Sequence, residues 1–90
     1  MKIVLSPHLS IAHPEVSSTD VFSAVNNPDE RYLDTLRNRF ISLKKLNDKW
    51  IMVVYEKNQE IIVITAFYMK EQKKNKYVSN KLVSGHWIKI

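Results

Sequence analysis

The sequence predicts an α+β domain in which two short N-terminal helices pack on an antiparallel sheet of about four strands. Three observations carry this. Two segments before residue 30 are bounded by prolines and hydroxyl residues, the second with apolar residues at helical spacing, and β-branched and aromatic runs broken by Asn47-Asp48 and Asn58-Gln59 follow them. A chain of 90 residues with 44% apolar content holds one core and not two, so residues 1–90 are read as a single domain.

Met1 to Leu5 reads as a short strand. Ser6-Pro7 then offers a cap followed by proline at the first helical position, where its missing N–H costs nothing. Pro14 ends that helix within two turns, because it disfavours helical geometry at His13. Ser17-Ser18-Thr19-Asp20 combines hydroxyl capping with an acid in the first turn, ahead of Val21, Phe22 and Val25 at helical spacing, and Asn26-Asn27-Pro28 stops the second helix.

An antiparallel meander follows from about residue 31, with asparagine able to take the left-handed conformation of tight hairpins. Two-residue loops would put Lys44, Ile51 and Ala66 side by side on one face and Leu43, Met52 and Thr65 on the other. Neither turn contains glycine, so a bulge could shift either register. Ile41, Leu43, Trp50, Met52, Val54, Val63 and Phe67 are expected to form the floor beneath the helices, while Ser42, Lys44, Lys49, Tyr55 and Tyr68 converge on the opposite face. Lys70, Lys73, Lys74 and Lys76 read as a cationic linker or loop, and Trp87 to Ile90, after the single glycine Gly85, as a final short strand.

The net charge of +5 is unevenly placed: residues 1–30 carry one basic and four acidic side chains, and residues 31–90 carry thirteen and five. A cationic surface on the C-terminal two thirds attracts polyanions in a salt-dependent way. The absence of cysteine excludes disulfides, thiolate metal sites and cysteine nucleophiles, and fits a reducing cytosol, so a cytoplasmic location is expected. The apolar stretch Ile61 to Met69 is about half of what a spanning helix needs, so no membrane association is expected. One glycine cannot build a phosphate-cradling loop, and His8 and His13, about 140° apart around a helix, lack a carboxylate at ligand spacing; neither a cofactor nor a metal is expected.

Basic and aromatic residues alternate in Arg37, Arg39, Phe40, Lys44, Lys45, Lys49 and Trp50, a mixture that holds phosphates and stacks bases, or simply makes an amphipathic strand. His13 stands at a helix end, where carbonyl dipoles favour its protonated form or let it serve as a cap. Lys44, among apolar neighbours, needs a carboxylate such as Glu56 or Glu60, or an anion. Tyr55 and Tyr68 suit a core with one hydroxyl at its rim.

Several strings also occur in a familiar order: His13-Pro14-Glu15-Val16, Ser17 to Val21, Asn27-Pro28-Asp29-Glu30, the stretches Arg39 to Lys45 and Trp50 to Tyr55, Ile64-Thr65-Ala66-Phe67-Tyr68, and Gly85-His86-Trp87. Together they resemble the small phage and prokaryotic proteins grouped with barnase, EndoU, colicin and RelE-like nucleases. The resemblance implies a RelE-like curved sheet carrying a metal-independent endoribonuclease of toxin type, mRNA interferase-like, with an antitoxin protein as partner. In such an enzyme the ribose 2′-hydroxyl attacks the adjacent phosphate, leaving a 2′,3′-cyclic phosphate. The expected catalytic set is His13 or Tyr68 for acid–base work, Arg39 and Lys44 for phosphorane charge, and Thr65 at a polar position of the family string, though on the face opposite Lys44 and Tyr68. Arg37, Lys45, Lys49, Lys70, Lys73 and Lys74 are expected to bind RNA. The rival reading is a non-catalytic basic domain that binds nucleic acid or a protein partner.

Overall fold

The computed structural model describes residues 2–90. In chain order the elements are β1 (Ile3–Leu5), α1 (Pro7–Ala12), α2 (Ser18–Asn26), β2 (Glu30–Asp34), β3 (Arg39–Lys45), β4 (Trp50–Lys57), β5 (Ile61–Met69), α3 (Glu71–Val83) and β6 (Trp87–Lys89). The class is α+β as expected, but the sheet has six strands rather than four, in the order β1-β5-β4-β3-β2-β6. β1 pairs parallel to β5, and the other neighbours are antiparallel. Met1, included in the first strand by the sequence reading, lies outside the described residues.

Both helices predicted from caps and prolines form, with α2 ending at Asn26 and its first turn capped by the Ser17 side chain. Ser6 does not cap α1; its hydroxyl donates to the Ile64 carbonyl at 3.1 Å. Ile64 is the residue left over where the β4–β5 ladder skips, since Val54 faces Thr65 but Tyr55 faces Val63. That bulge corrects the sequence register. Lys44 faces Ile51 and Leu43 faces Met52 as expected. Ala66 faces Val53, not Ile51, and Val63 moves to the Tyr55 face. A shift of two residues preserves faces, whereas the extra residue of a bulge exchanges them.

The helices also choose the other face. α1 and α2 lie on Ile51, Val53, Tyr55, Val63 and Ala66, where Leu9, Val21, Ala24 and Val25 complete one core. Polar groups are tolerated on this face because each has a partner: Ser42 donates to the Tyr55 hydroxyl at 3.2 Å inside the core, while Lys44 and Tyr68 tie down helix ends, as described below. The expected floor, with Ile41, Leu43, Trp50 and Met52, is covered instead by α3 through Val78 and Tyr77. The result is three layers, with helices on both sides of the sheet.

α3 forms where the sequence reading placed a loop. No glycine or proline interrupts residues 71–83, the residues are mostly good helix formers, Glu71 stands in the first turn and Lys81 in the last. Its amphipathic signature is hidden because one inward position is a lysine. Lys74 is only 5% exposed, pairs with Glu30 of β2, and holds its ammonium 4.0 Å from the centre of the Trp50 ring. Tyr32 donates to the other Glu30 oxygen at 2.7 Å.

Burial alone would raise the Glu30 pKa, but the hydrogen bonds from Lys74 and Tyr32 and the charges of Lys74 and Lys89 hold it below its ordinary value. Burial, then the bond to Glu30, pushes the Tyr32 hydroxyl up from 10.0 to about 12. A depressed carboxylate gives stability present above its unfolded pKa and lost as pH falls through the folded one, whereas a raised tyrosine gives stability lost as pH rises toward the folded value. Urea midpoints are therefore expected to fall below about pH 4.5 and again above about pH 10. Glu30→Gln is expected to flatten the acid limb.

Candidate functional site

Asp34 ends β2 with a buried carboxylate that accepts the backbone N–H groups of Leu36 at 2.9 Å and Arg37 at 3.1 Å. This side-chain turn, with Asn38 in the left-handed conformation (φ 55°), fixes the β2–β3 connection. Thr35 anchors it to the turn before β6 by donating to the His86 carbonyl at 3.1 Å. Arg37 and Arg39 are thereby held at the rim of a cleft of about 160 Å³ between the sheet and α3. Ile41, Met52 and Val54 line its floor, Thr65 and Trp87 its sides, and Tyr77 and Lys81 of α3 close it.

Three cations from two elements and a turn thus converge on one concavity. Arg37 leans on Asp34 at 3.8 Å and Arg39 on Glu56 at 3.4 Å; Lys81 has no carboxylate within 4.0 Å among the described residues and lies 5.6 Å from the centre of the Tyr77 ring. The volume is well under the roughly 300 Å³ of a small-molecule site. It suits a group the size of a phosphate. A shallower hollow of about 560 Å³ beside the β3–β4 turn is lined by Lys45 and Lys49 but also by Asp20 and Asp48, whose charges offset them.

No family model, curated protein or solved structure matches this chain. The site must be judged on its geometry.

Of the five expected catalytic residues, Arg39 and Thr65 line the cleft. The other three lie elsewhere. Lys44 has no carboxylate within 4.0 Å among the described residues: its ammonium donates at 2.9 Å to the carbonyl of Asn27, the C-cap of α2, where the helix dipole favours a cation. Tyr68 donates to Asp20 at 2.6 Å and accepts the Ser17 N–H at 3.1 Å, bolting the start of α2 to β5. Burial and the bond to Asp20 raise its pKa, the opposite of what a tyrosine base requires. Tyr68→Phe is expected to cost about 1.5 kcal/mol in urea unfolding, as for a hydrogen bond to a charged group. His13 caps α1, with its ring 5.9 Å from Phe67 and Nδ1 3.8 Å from Glu15.

Among the expected RNA contacts, Arg37 is in the cleft and Lys73 stands on α3 in an exposed hollow with Lys76, Tyr77 and Asn80. Lys70 is exposed at the N-cap of α3. Lys45 pairs with Glu71 at 3.3 Å, and Lys49 lies over the Tyr68 ring at 3.9 Å. Lys74 is corrected: buried against Glu30 and Trp50, it cannot reach a ligand. Lys81 and Tyr77 were missed because their helix was missed. The signal available was thirteen residues without a helix breaker, acidic at the start and basic at the end.

Proposed function

We propose that this domain binds RNA through its backbone, with the cleft of Arg37, Arg39 and Lys81 as the seat of a phosphate. The observation that carries the reading is the convergence of these cations, beside the hydroxyl-bearing Thr65 and Tyr77, on a cleft too small for a larger ligand. Two arginines can present bidentate donors to phosphate oxygens, and the lysine supplies a point charge. The exposed Lys73 and Lys76 beside Tyr77 extend the positive surface along α3.

Metal-independent cleavage on a RelE-like fold is the second reading, favoured by the presence of Arg39 and Thr65 in the same cleft. Arg39 and Lys81 would hold the charge that develops when a 2′-hydroxyl attacks the phosphate. Binding takes precedence because the acids nearby are engaged: Asp34 accepts two backbone N–H groups and Glu56 leans on Arg39. An acidic antitoxin-like partner would cover the same cationic face on either reading.

The test is incubation with structured and single-stranded RNA in EDTA, followed by gel shift and end-group analysis. Retarded but intact RNA supports the binding domain. Cyclic phosphate ends, lost in Arg39→Ala, would establish the ribonuclease, and unshifted, uncut RNA would remove both readings.

A further inference from the structure

Among the described residues seven large apolar side chains are exposed: Ile11, Phe22, Leu36, Leu82, Val83, Ile88 and Ile90. Of these, Ile88 lies on β6 and Ile90 directly after it. Leu36 stands in the β2–β3 connection tied to His86 through Thr35, and Leu82 and Val83 end α3 just before Gly85. Gly85 itself has φ +78°, so the turn into β6 is one that other residues adopt only with strain. Exposed isoleucines on and beside an edge strand offer apolar surface to a partner.

β6 is also an edge strand, paired only with β2. The Thr35 N–H donates to the His86 carbonyl and the Ile90 N–H to the Arg31 carbonyl, so residues 86, 88 and 90 turn their backbone groups toward β2. By the alternation of an antiparallel ladder, Trp87 and Lys89 aim their N–H and C=O groups away from the sheet. We infer that this edge joins a second copy of the chain, β6 to β6 and antiparallel, about a two-fold axis at Ile88.

That register uses both outward residues, each Trp87 exchanging hydrogen bonds with the second copy's Lys89. It is also the register that electrostatics permits. Lys89 is the one charged residue of β6, and here it stands beside a tryptophan and not beside another lysine. Ile88 meets Ile88 on the α1–α2 side of the sheet, and Ile90 of each copy comes beside His86 of the other on that same side. Three-residue strands fall short of the roughly 800 Å² per partner of a standard interface, so the dimer is a weak one.

The axis is perpendicular to the sheet, so both clefts, each walled by its own Trp87, open on the same side. Five strand spacings separate one Arg39 from the other, about 24 Å. The inference concerns the edge alone and stands whatever the clefts bind.

The cysteine-free sequence provides a clean test through Ile88→Cys. Across a non-hydrogen-bonded pair the Cα atoms are about 4.5 Å apart, within the range a disulfide spans. Under mild oxidation, Ile88→Cys is expected to link into a covalent dimer. Ile11→Cys, 81% exposed on α1, is expected to remain monomeric. Adding Lys89→Pro removes an outward N–H, which an edge tolerates, together with a charge that acts on Glu30, and is expected to abolish linking while circular dichroism is unchanged. Failure of Ile88→Cys to link, linking no faster than that of Ile11→Cys, or linking that survives Lys89→Pro would overturn the inference.

Discussion

Lys74→Ala is expected to lower the unfolding free energy by about 3 kcal/mol, the largest effect of any exchange among the fourteen basic residues. The reason is the asymmetry of a buried pair. Removing one partner leaves Glu30 with the desolvation that the ammonium had offset, and removes the cation from the Trp50 ring. The figure sits at the low end of the range for buried pairs because the Glu30 side chain keeps 24% of its surface in water. The paired exchange Lys74→Met with Glu30→Gln is expected to be far milder, since no unpaired charge remains. Urea unfolding of the two single variants and the double variant gives the coupling energy directly, and additive effects would contradict the description of the pair. α3 should respond first: Lys74 and Val78 are its buried residues, so its amides are expected to lose hydrogen-exchange protection ahead of those of β4 and β5.

The second large effect concerns RNA. Neutralising Arg37, Arg39 and Lys81 together is expected to weaken binding by at least a hundredfold, taking about 1.5 kcal/mol for each charge-assisted contact and allowing for non-additivity. Stability should change little, because Arg37 is itself mostly in water, Asp34 keeps the two backbone N–H groups that satisfy it, and the Arg39–Glu56 pair at 3.4 Å is open to solvent on both sides. Neutralising Lys45 and Lys49 is expected to matter much less, since one is held by Glu71 and the other lies on Tyr68, beside a hollow that contains as many acids as bases.

What could be read in the sequence followed physical rules with few competitors. Pro7, Pro14 and the Ser17 cap located α1 and α2, and the Asn47 and Asn58 turns located the ends of β3, β4 and β5. The choice of sheet face could not be read, because both faces of the central strands are apolar and a helix layer covers each. A single unpaired residue, Ile64, was enough to move Val63 across the sheet. α3 was obscured because its inward position 74 carries a charge whose partner, Glu30, is far away in sequence. The site suffered accordingly. Arg37 and Arg39 were named from their alternation with aromatics and Thr65 from the family string, but Lys81 and Tyr77 depended on the helix; Lys44, noted as a costly cation on a strand, and Tyr68, read as a core residue with its hydroxyl at the rim, hold the two ends of α2.

The most direct test of the central claim is the salt dependence of binding to a single-stranded oligoribonucleotide, measured for the wild type and for the variant neutralised at Arg37, Arg39 and Lys81. Each phosphate contact on a single strand contributes about 0.7 to the slope of log K against log salt. A cleft that seats one backbone phosphate predicts a slope shallower by about 0.7 in the triple variant and nearly unchanged in the Lys45 and Lys49 variant. Equal slopes for the wild type and the triple variant would contradict the account and place the RNA elsewhere on the molecule.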